Sequence, residues 1–202
     1  DSYDIQIMSP MKKGMLGVER LNLILQQHLN PKHPKKPEKE FDGKVYRVGD
    51  KVMQTKNNYQ IEWSVKNDIG IAMEKGQGVY NGDIGIIRYI NDFEEFIRVE
   101  FDDRKIVEYP YSEANQLELA YAITIHKSQG SEYPAVIIPM YPGPKMLMNR
   151  NLIYTAITRA KTCVALVGEP ECFYEMTQNT SQMKRYSSLD RQIKNLLNLK
   201  SN

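Results

Sequence analysis

The 202 residues contain two cysteines, three histidines and one tryptophan, and neither charge dominates: Lys+Arg 27 against Asp+Glu 25 leave a net charge of +2. Cys163 and Cys172 are too few for a zinc cluster, and no CxxC or HExxH spacing appears, so no metal-ligating motif is expected. A chain this poor in cysteine suits a reduced, cytoplasmic compartment. No apolar run approaches the roughly 18 residues of a membrane span, and Asp1-Ser2-Tyr3-Asp4 lacks the basic and apolar regions of a signal peptide. No membrane partner is therefore expected. Near-neutral charge also excludes a nucleic-acid partner argued from bulk charge, so any such partner needs local evidence. Three catalytic signatures are missing as well: a GxxxxGK[ST] phosphate loop, a strand ending in Asp-Glu that would hold magnesium, and any recognisable Ser-His-Asp or Cys-His set. The first residue is not Met and apolar alternation begins at once, at Ile5 and Ile7, which suggests a piece of a longer polypeptide.

What is present is a globular composition, 41% hydrophobic and 26% charged. Tyr3 to Met8 alternates as a strand and breaks at Ser9-Pro10. Beyond the loop Ser9 to Gly14, Val18, Leu21, Leu25 and Leu29 recur at helical steps until Asn30-Pro31. Pro31 to Glu40 reads PKHPKKPEKE and is expected as a linker. From Val45 to Tyr111 short β-rich runs alternate with turns such as Asn81-Gly82-Asp83, the pattern of a small antiparallel barrel. Within it, Gln60 to Gly78 reads as either a long hairpin or a lid. Then strands over Leu117 to Ile125, Ala135 to Pro139 and Thr162 to Val167 alternate with a helix over Asn149 to Arg159, and helical patterns close the chain. The predicted class is α/β: a mainly parallel sheet with helices on both faces, interrupted by an inserted barrel. The expected divisions are 1–43, 44–111 and 112–202.

In open α/β sheets ligands bind beyond the carboxyl ends of strands, which directs attention to the strand exits. Thr124-Ile125-His126-Lys127-Ser128-Gln129-Gly130-Ser131-Glu132 is dense in groups that donate or accept hydrogen bonds. Gly130 would let backbone amides approach a phosphate, Glu132 would accept from a ribose hydroxyl, and Thr124, His126 and Lys127 suit a phosphate backbone. Taken singly, each also has an ordinary explanation as a capped loop residue, a solvated charge or a turn. Likewise the cations Arg159 and Lys161 at the end of the second helix suit its dipole without any further role.

Two stretches carry a family resemblance. Ala120 to Glu132, AYAITIHKSQGSE, resembles motif V of the superfamily 1 helicases, and Tyr154 to Lys161, YTAITRAK, resembles motif VI, in the same order. Together with Met8-Ser9-Pro10-Met11-Lys12-Lys13-Gly14, Val48-Gly49-Asp50-Lys51-Val52-Met53 and Asn81-Gly82-Asp83-Ile84-Gly85, they resemble the RecD branch, the exodeoxyribonuclease V alpha-chain type. The resemblance implies the second of two RecA-like motor domains, carrying a Src-homology-3-like barrel. It implies ATP and Mg2+ as cofactors, both needing an upstream RecA-like domain of the same polypeptide, and single-stranded DNA as partner, with recombination or nuclease subunits. Arg159 matches the arginine finger, Gly130 and Glu132 the nucleotide edge, and Thr124 and His126 the DNA edge of motif V. Lys12 and Lys13 would face DNA phosphates or the nucleotide. In the barrel Lys51, Lys56, Asn57, Asn58 and Tyr59 offer charge, hydrogen bonds and a stacking ring to DNA. The rival expectation is a non-catalytic module, with the barrel binding nucleic acid or the barrel or the tail Met183 to Asn202 recruiting a partner.

Overall fold

The protein is represented by a computed structural model describing residues 2–67, 72–180, 188 and 192–194. Strand β1 (Ile5–Ser9) leads into helix α1 (Val18–Leu29). Seven strands follow: β2 (Glu38–Phe41), β3 (Lys44–Arg47), β4 (Lys51–Gln54), β5 (Asn58–Lys66), β6 (Ala72–Val79), β7 (Ile84–Asn91) and β8 (Phe96–Phe101). After β9 (Lys105–Pro110) come β10 (Leu117–Leu119), β11 (Ala122–Thr124), β12 (Tyr133–Met140), α2 (Arg150–Ile157), β13 (Ala160–Gly168) and α3 (Pro170–Gln178). No described helix is long and apolar enough to cross a membrane. The tail expected to recruit a partner lies almost wholly outside the described residues.

Two large sheets and a small β2–β3 pair organise the described residues. One has the order β11-β1-β12-β13 with every pairing parallel, so the first strand and the last three close one sheet although the barrel separates them in sequence. Met8, Ile123, Val136, Ile138 and Met140 line one face and pack under Leu152, Ile153 and Ala156 of α2 and Cys172 and Met176 of α3. On the other side α1 runs along β11, and the Ser9 hydroxyl donates to the Leu16 carbonyl at 2.7 Å. The second sheet is antiparallel, in the order β10-β4-β7-β8-β9-β5-β6, around a core that includes Val52, Ile87, Ile97, Val99 and Val107.

Three expectations change, and one open alternative is decided. The apolar run Leu117 to Ile125 is not one strand: Leu117–Leu119 pairs with β4 in the barrel, and Ala122–Thr124 pairs with β1 in the parallel sheet. An alternating pattern cannot reveal which sheet each half joins. The supposed linker ends in β2, which pairs with β3 around Asp42-Gly43, both at positive φ (50° and 73°). This is the two-residue turn that an Asp-Gly pair favours. Of the two alternatives for Gln60 to Gly78, the antiparallel pairing of β5 with β6 among its described residues supports the hairpin. Finally, Leu29 is exposed, and the most buried side chains of α1 are Asn22 and Gln26.

Those two polar residues hold the barrel to the parallel sheet. Asn22 donates to the carbonyls of Leu119 and Ala122 and accepts from the Ala122 amide, gripping the chain where it changes sheets. Gln26 and Asn30 each donate to the Asp50 carboxylate at 2.6 Å, and the Arg47 amide donates to it at 2.7 Å. Burial of these groups is tolerated because the carboxylate is met by donors on both oxygens.

Candidate nucleotide and nucleic-acid interface

The segment between β11 and β12 links opposite edges of the parallel sheet. Ser9 is level with Thr124, and Ile7 with Ile137, so Thr124 stands at the height of Pro139, six residues beyond Tyr133 on β12. At ~3.3 Å per residue the segment 125–132 therefore travels about 20 Å, from the carboxyl edge back to the amino edge. It is anchored midway. Thr124 caps a 3₁₀ turn over Ile125–Ser128, its hydroxyl accepting from the Lys127 amide, while Ile125 and Ser128 are buried and the Ser128 hydroxyl donates to the Ile125 carbonyl.

At the amino edge, α2 delivers Arg159. Asn149 caps the helix by accepting from the Leu152 amide, and Leu152, Ile153 and Ala156 are buried. The Arg159 guanidinium is half-buried. It donates to the carbonyls of Thr155 (3.3 Å) and Ser131 (3.2 Å), and the Tyr133 amide donates to the Arg159 carbonyl. The fork is thus turned toward the end of the motif V segment. Gly130, one residue earlier, has φ +90°, a left-handed conformation that excludes most side chains on backbone grounds. Glu132 is exposed and lies 3.7 Å from the Lys161 ammonium. The strand-exit rule therefore locates only half of this site: Gly130, Glu132 and Arg159 sit at strand beginnings.

The carboxyl edge gathers charge. Lys127 donates to Glu118 of β10 at 2.8 Å, and the ammonium groups of Lys44 and Lys12 lie 3.7 Å and 4.0 Å from the same carboxylate. Burial works against ionisation of Glu118, but the Lys127 hydrogen bond and the three positive charges outweigh it and hold the carboxyl below its ordinary range. A small cleft beside this cluster is lined by Lys12, Val18, Thr124 and Lys127. Lys12, Thr124 and Lys127, from two separate motifs, are thereby brought together. Lys13 and His126 are exposed nearby in sequence.

The barrel candidates do not share this location. Asn57 donates to the Tyr59 hydroxyl and accepts from the Asn81 amide, an arrangement local to the barrel. Asn58 is occupied by Glu113 and Gln116. Lys51 is corrected outright: it is buried, and its ammonium donates to the carbonyls of Tyr3 and Ile5, so it is a strut between barrel and parallel sheet with no free face for DNA. Lys44 and Glu118 escaped the sequence reading. The alternation Leu117-Glu118-Leu119 signals an outward Glu118, but nothing local indicates partners at positions 12, 44 and 127.

Residues 21–101 match the family model described as "ATP-dependent RecD-like DNA helicase SH3 domain", and residues 119–167 match "UvrD-like helicase C-terminal domain". The chain is 34% identical over 157 residues to the ATP-dependent RecD2 DNA helicase of Deinococcus radiodurans, covering 78% of this chain and 19% of that protein. It is 24% identical over 170 residues to the RecBCD enzyme subunit RecD of Buchnera aphidicola subsp. Schizaphis graminum, covering 83% and 25%. In fold it is similar to the Pif1 helicase from Bacteroides crystallised with ADP-AlF3 and ssDNA, with TM-score 0.54, 19% identity and coverage of 96% of this chain and 46% of that one. The chain thus spans about a fifth to a quarter of these curated relatives and under half of the solved one.

Proposed function

Because this chain belongs to the RecD-like branch of the superfamily 1 DNA helicases, we propose that it serves as the second motor domain of an ATP-dependent enzyme. In this reading the enzyme moves along single-stranded DNA, 5′ to 3′, in cytoplasmic DNA repair or recombination, alongside nuclease or recombination subunits. The observation that carries the reading is the Arg159 guanidinium on the Ser131 carbonyl, at one end of a segment whose other end bears Thr124 and Lys127.

ATP is the substrate shared with an upstream RecA-like domain. Arg159 reaches from this side toward the γ-phosphate and stabilises charge spreading over its oxygens, a contribution of about 10³–10⁵ in rate in other nucleotide hydrolases. Gly130 leaves open backbone beside it, and Glu132 accepts from the ribose. Magnesium is assigned to the companion domain, as the resemblance implies. No step is assigned to a metal on this chain, and the 202 residues alone are proposed not to hydrolyse ATP. A displacement of Arg159 on nucleotide turnover is carried by segment 125–132 to the carboxyl edge, where DNA is held.

The test uses the enzyme with both motor domains. Arg159→Ala should lower DNA-stimulated ATP hydrolysis by about 10³ or more while nucleotide binding falls much less. An unchanged rate removes the assignment.

A further inference from the structure

The lysine cluster at the carboxyl edge is out of balance. Three ammonium groups face the single carboxylate of Glu118, and only Lys127 is hydrogen-bonded to it; Lys44 and Lys12 stand at 3.7 Å and 4.0 Å. Lys12 also lies 3.9 Å from the Glu19 carboxylate, so two negative charges stand among three positive ones and leave an excess of one at the junction. The five side chains are 30–61% exposed, so water and salt screen the pairs and each is weak. An arriving anion would therefore meet little resistance in drawing the lysines away.

The cluster is also composite. Lys12 comes from the loop after β1, Lys127 from the turn after β11, Glu118 from barrel strand β10, and Lys44 from β3 of the β2–β3 hairpin, whose Tyr46 packs into the barrel core. Thr124, whose side chain caps the Lys127 turn, lines the adjoining cleft. Cations from three separate segments beside the Thr124 side chain suit a phosphodiester chain better than an isolated anion, because successive phosphates can each meet a different lysine.

We propose that Lys12, Lys44 and Lys127 form one phosphodiester site for single-stranded DNA across the junction of barrel and motor sheet, with Glu118 as its internal occupant, displaced when DNA binds. This rests on the reading of the chain as a DNA motor and extends it in two respects: Lys44 of the β2–β3 hairpin becomes a DNA contact, and Glu118 becomes a built-in competitor that weakens DNA binding. Such a competitor keeps the grip on the track shallow enough to be released during each step.

The experiment measures binding of fluorescent oligo-dT to the enzyme with both motor domains, without nucleotide, over a range of salt concentrations. Glu118→Gln, nearly the same shape without the charge, should bind about fivefold more tightly at low salt, the scale of one unit-charge interaction at ~4 Å in water. Lys44→Ala should reduce the steepness of log affinity against log salt by about 0.7, the loss of one single-strand phosphate contact. Lys44 is half-exposed, so this variant stands even if Glu118→Gln is poorly folded by thermal melting. Unchanged or weaker binding by a folded Glu118→Gln, or an unchanged slope for Lys44→Ala, overturns the proposal while leaving DNA binding itself intact. Absence of any salt-dependent binding by the unsubstituted enzyme overturns the motor reading with it. Inorganic phosphate should compete no better than sulfate at equal ionic strength; selective competition by phosphate would assign the site to a free anion and overturn the DNA assignment.

Discussion

The Tyr121 hydroxyl donates to Asp50 Oδ1 at 2.9 Å, joining the residue that precedes the motif V strand to a buried carboxylate of the barrel. With Gln26, Asn30 and the Arg47 amide also donating, Asp50 is the point where α1, the barrel and the chain entering β11 meet. Removing it strands several buried donors at once, each worth about 1–3 kcal/mol when left unpaired. Asp50→Ala should therefore destabilise the protein by about 2–5 kcal/mol in denaturant unfolding, and Tyr121→Phe by about 1 kcal/mol. Equal small losses for both would show that the seam does not hold the two parts together.

Arg159 makes its contacts through a planar fork, with Nε on the Thr155 carbonyl and one terminal nitrogen on the Ser131 carbonyl. A lysine ammonium cannot span both directions. In the two-domain enzyme, Arg159→Lys should stay within about tenfold of Arg159→Ala in DNA-stimulated ATPase, by steady-state kinetics. Near-complete rescue by lysine would reduce the fork to a simple positive charge.

Gly76 stands directly opposite Trp63 in the β5–β6 hairpin, and a Cβ there would come within 2.3 Å of the indole. Gly76→Ala should push the ring off the strand at a cost of about 1–3 kcal/mol. Trp63 is the only tryptophan, so its emission spectrum reports the change without interference. An unaltered spectrum and melting temperature would contradict the packing.

Burial lowers the Lys51 ammonium to about 8, with Asp102 and Asp4 only partly opposing the shift. Below that value both folded and unfolded chains carry the proton, and the penalty of the buried charge is fully present. Between about 8 and the unfolded lysine value near 10.4 the unfolded chain holds more protons, so stability rises with pH across this window, by up to about 3 kcal/mol. Tyr46, Tyr109, Tyr111 and Tyr121, all raised chiefly by burial, oppose the trend above roughly pH 10. Urea unfolding at pH 7.5 to 9.5 should show the rise in the unsubstituted protein and a flat profile in Lys51→Met. A rise that persists in Lys51→Met would place its source elsewhere.

The local pattern was enough to identify the helix within Asn149 to Arg159, the strands around Asn81-Gly82-Asp83, and motif stretches specific enough to imply a motor domain, because period and turn chemistry depend on neighbours in the chain. The Asp42-Gly43 turn was equally readable, though the surrounding prolines and lysines disguised it. Only tertiary structure could decide that Leu117 to Thr124 serves two sheets, that Asn22 and Gln26 are the buried side chains of α1, and that Lys51 is a strut rather than a DNA contact. The same holds for Glu118, whose partners come from positions 12, 44 and 127. Parallel pairing and charge clusters join residues a hundred positions apart, and such proximity leaves no trace in the periodicity of any one segment.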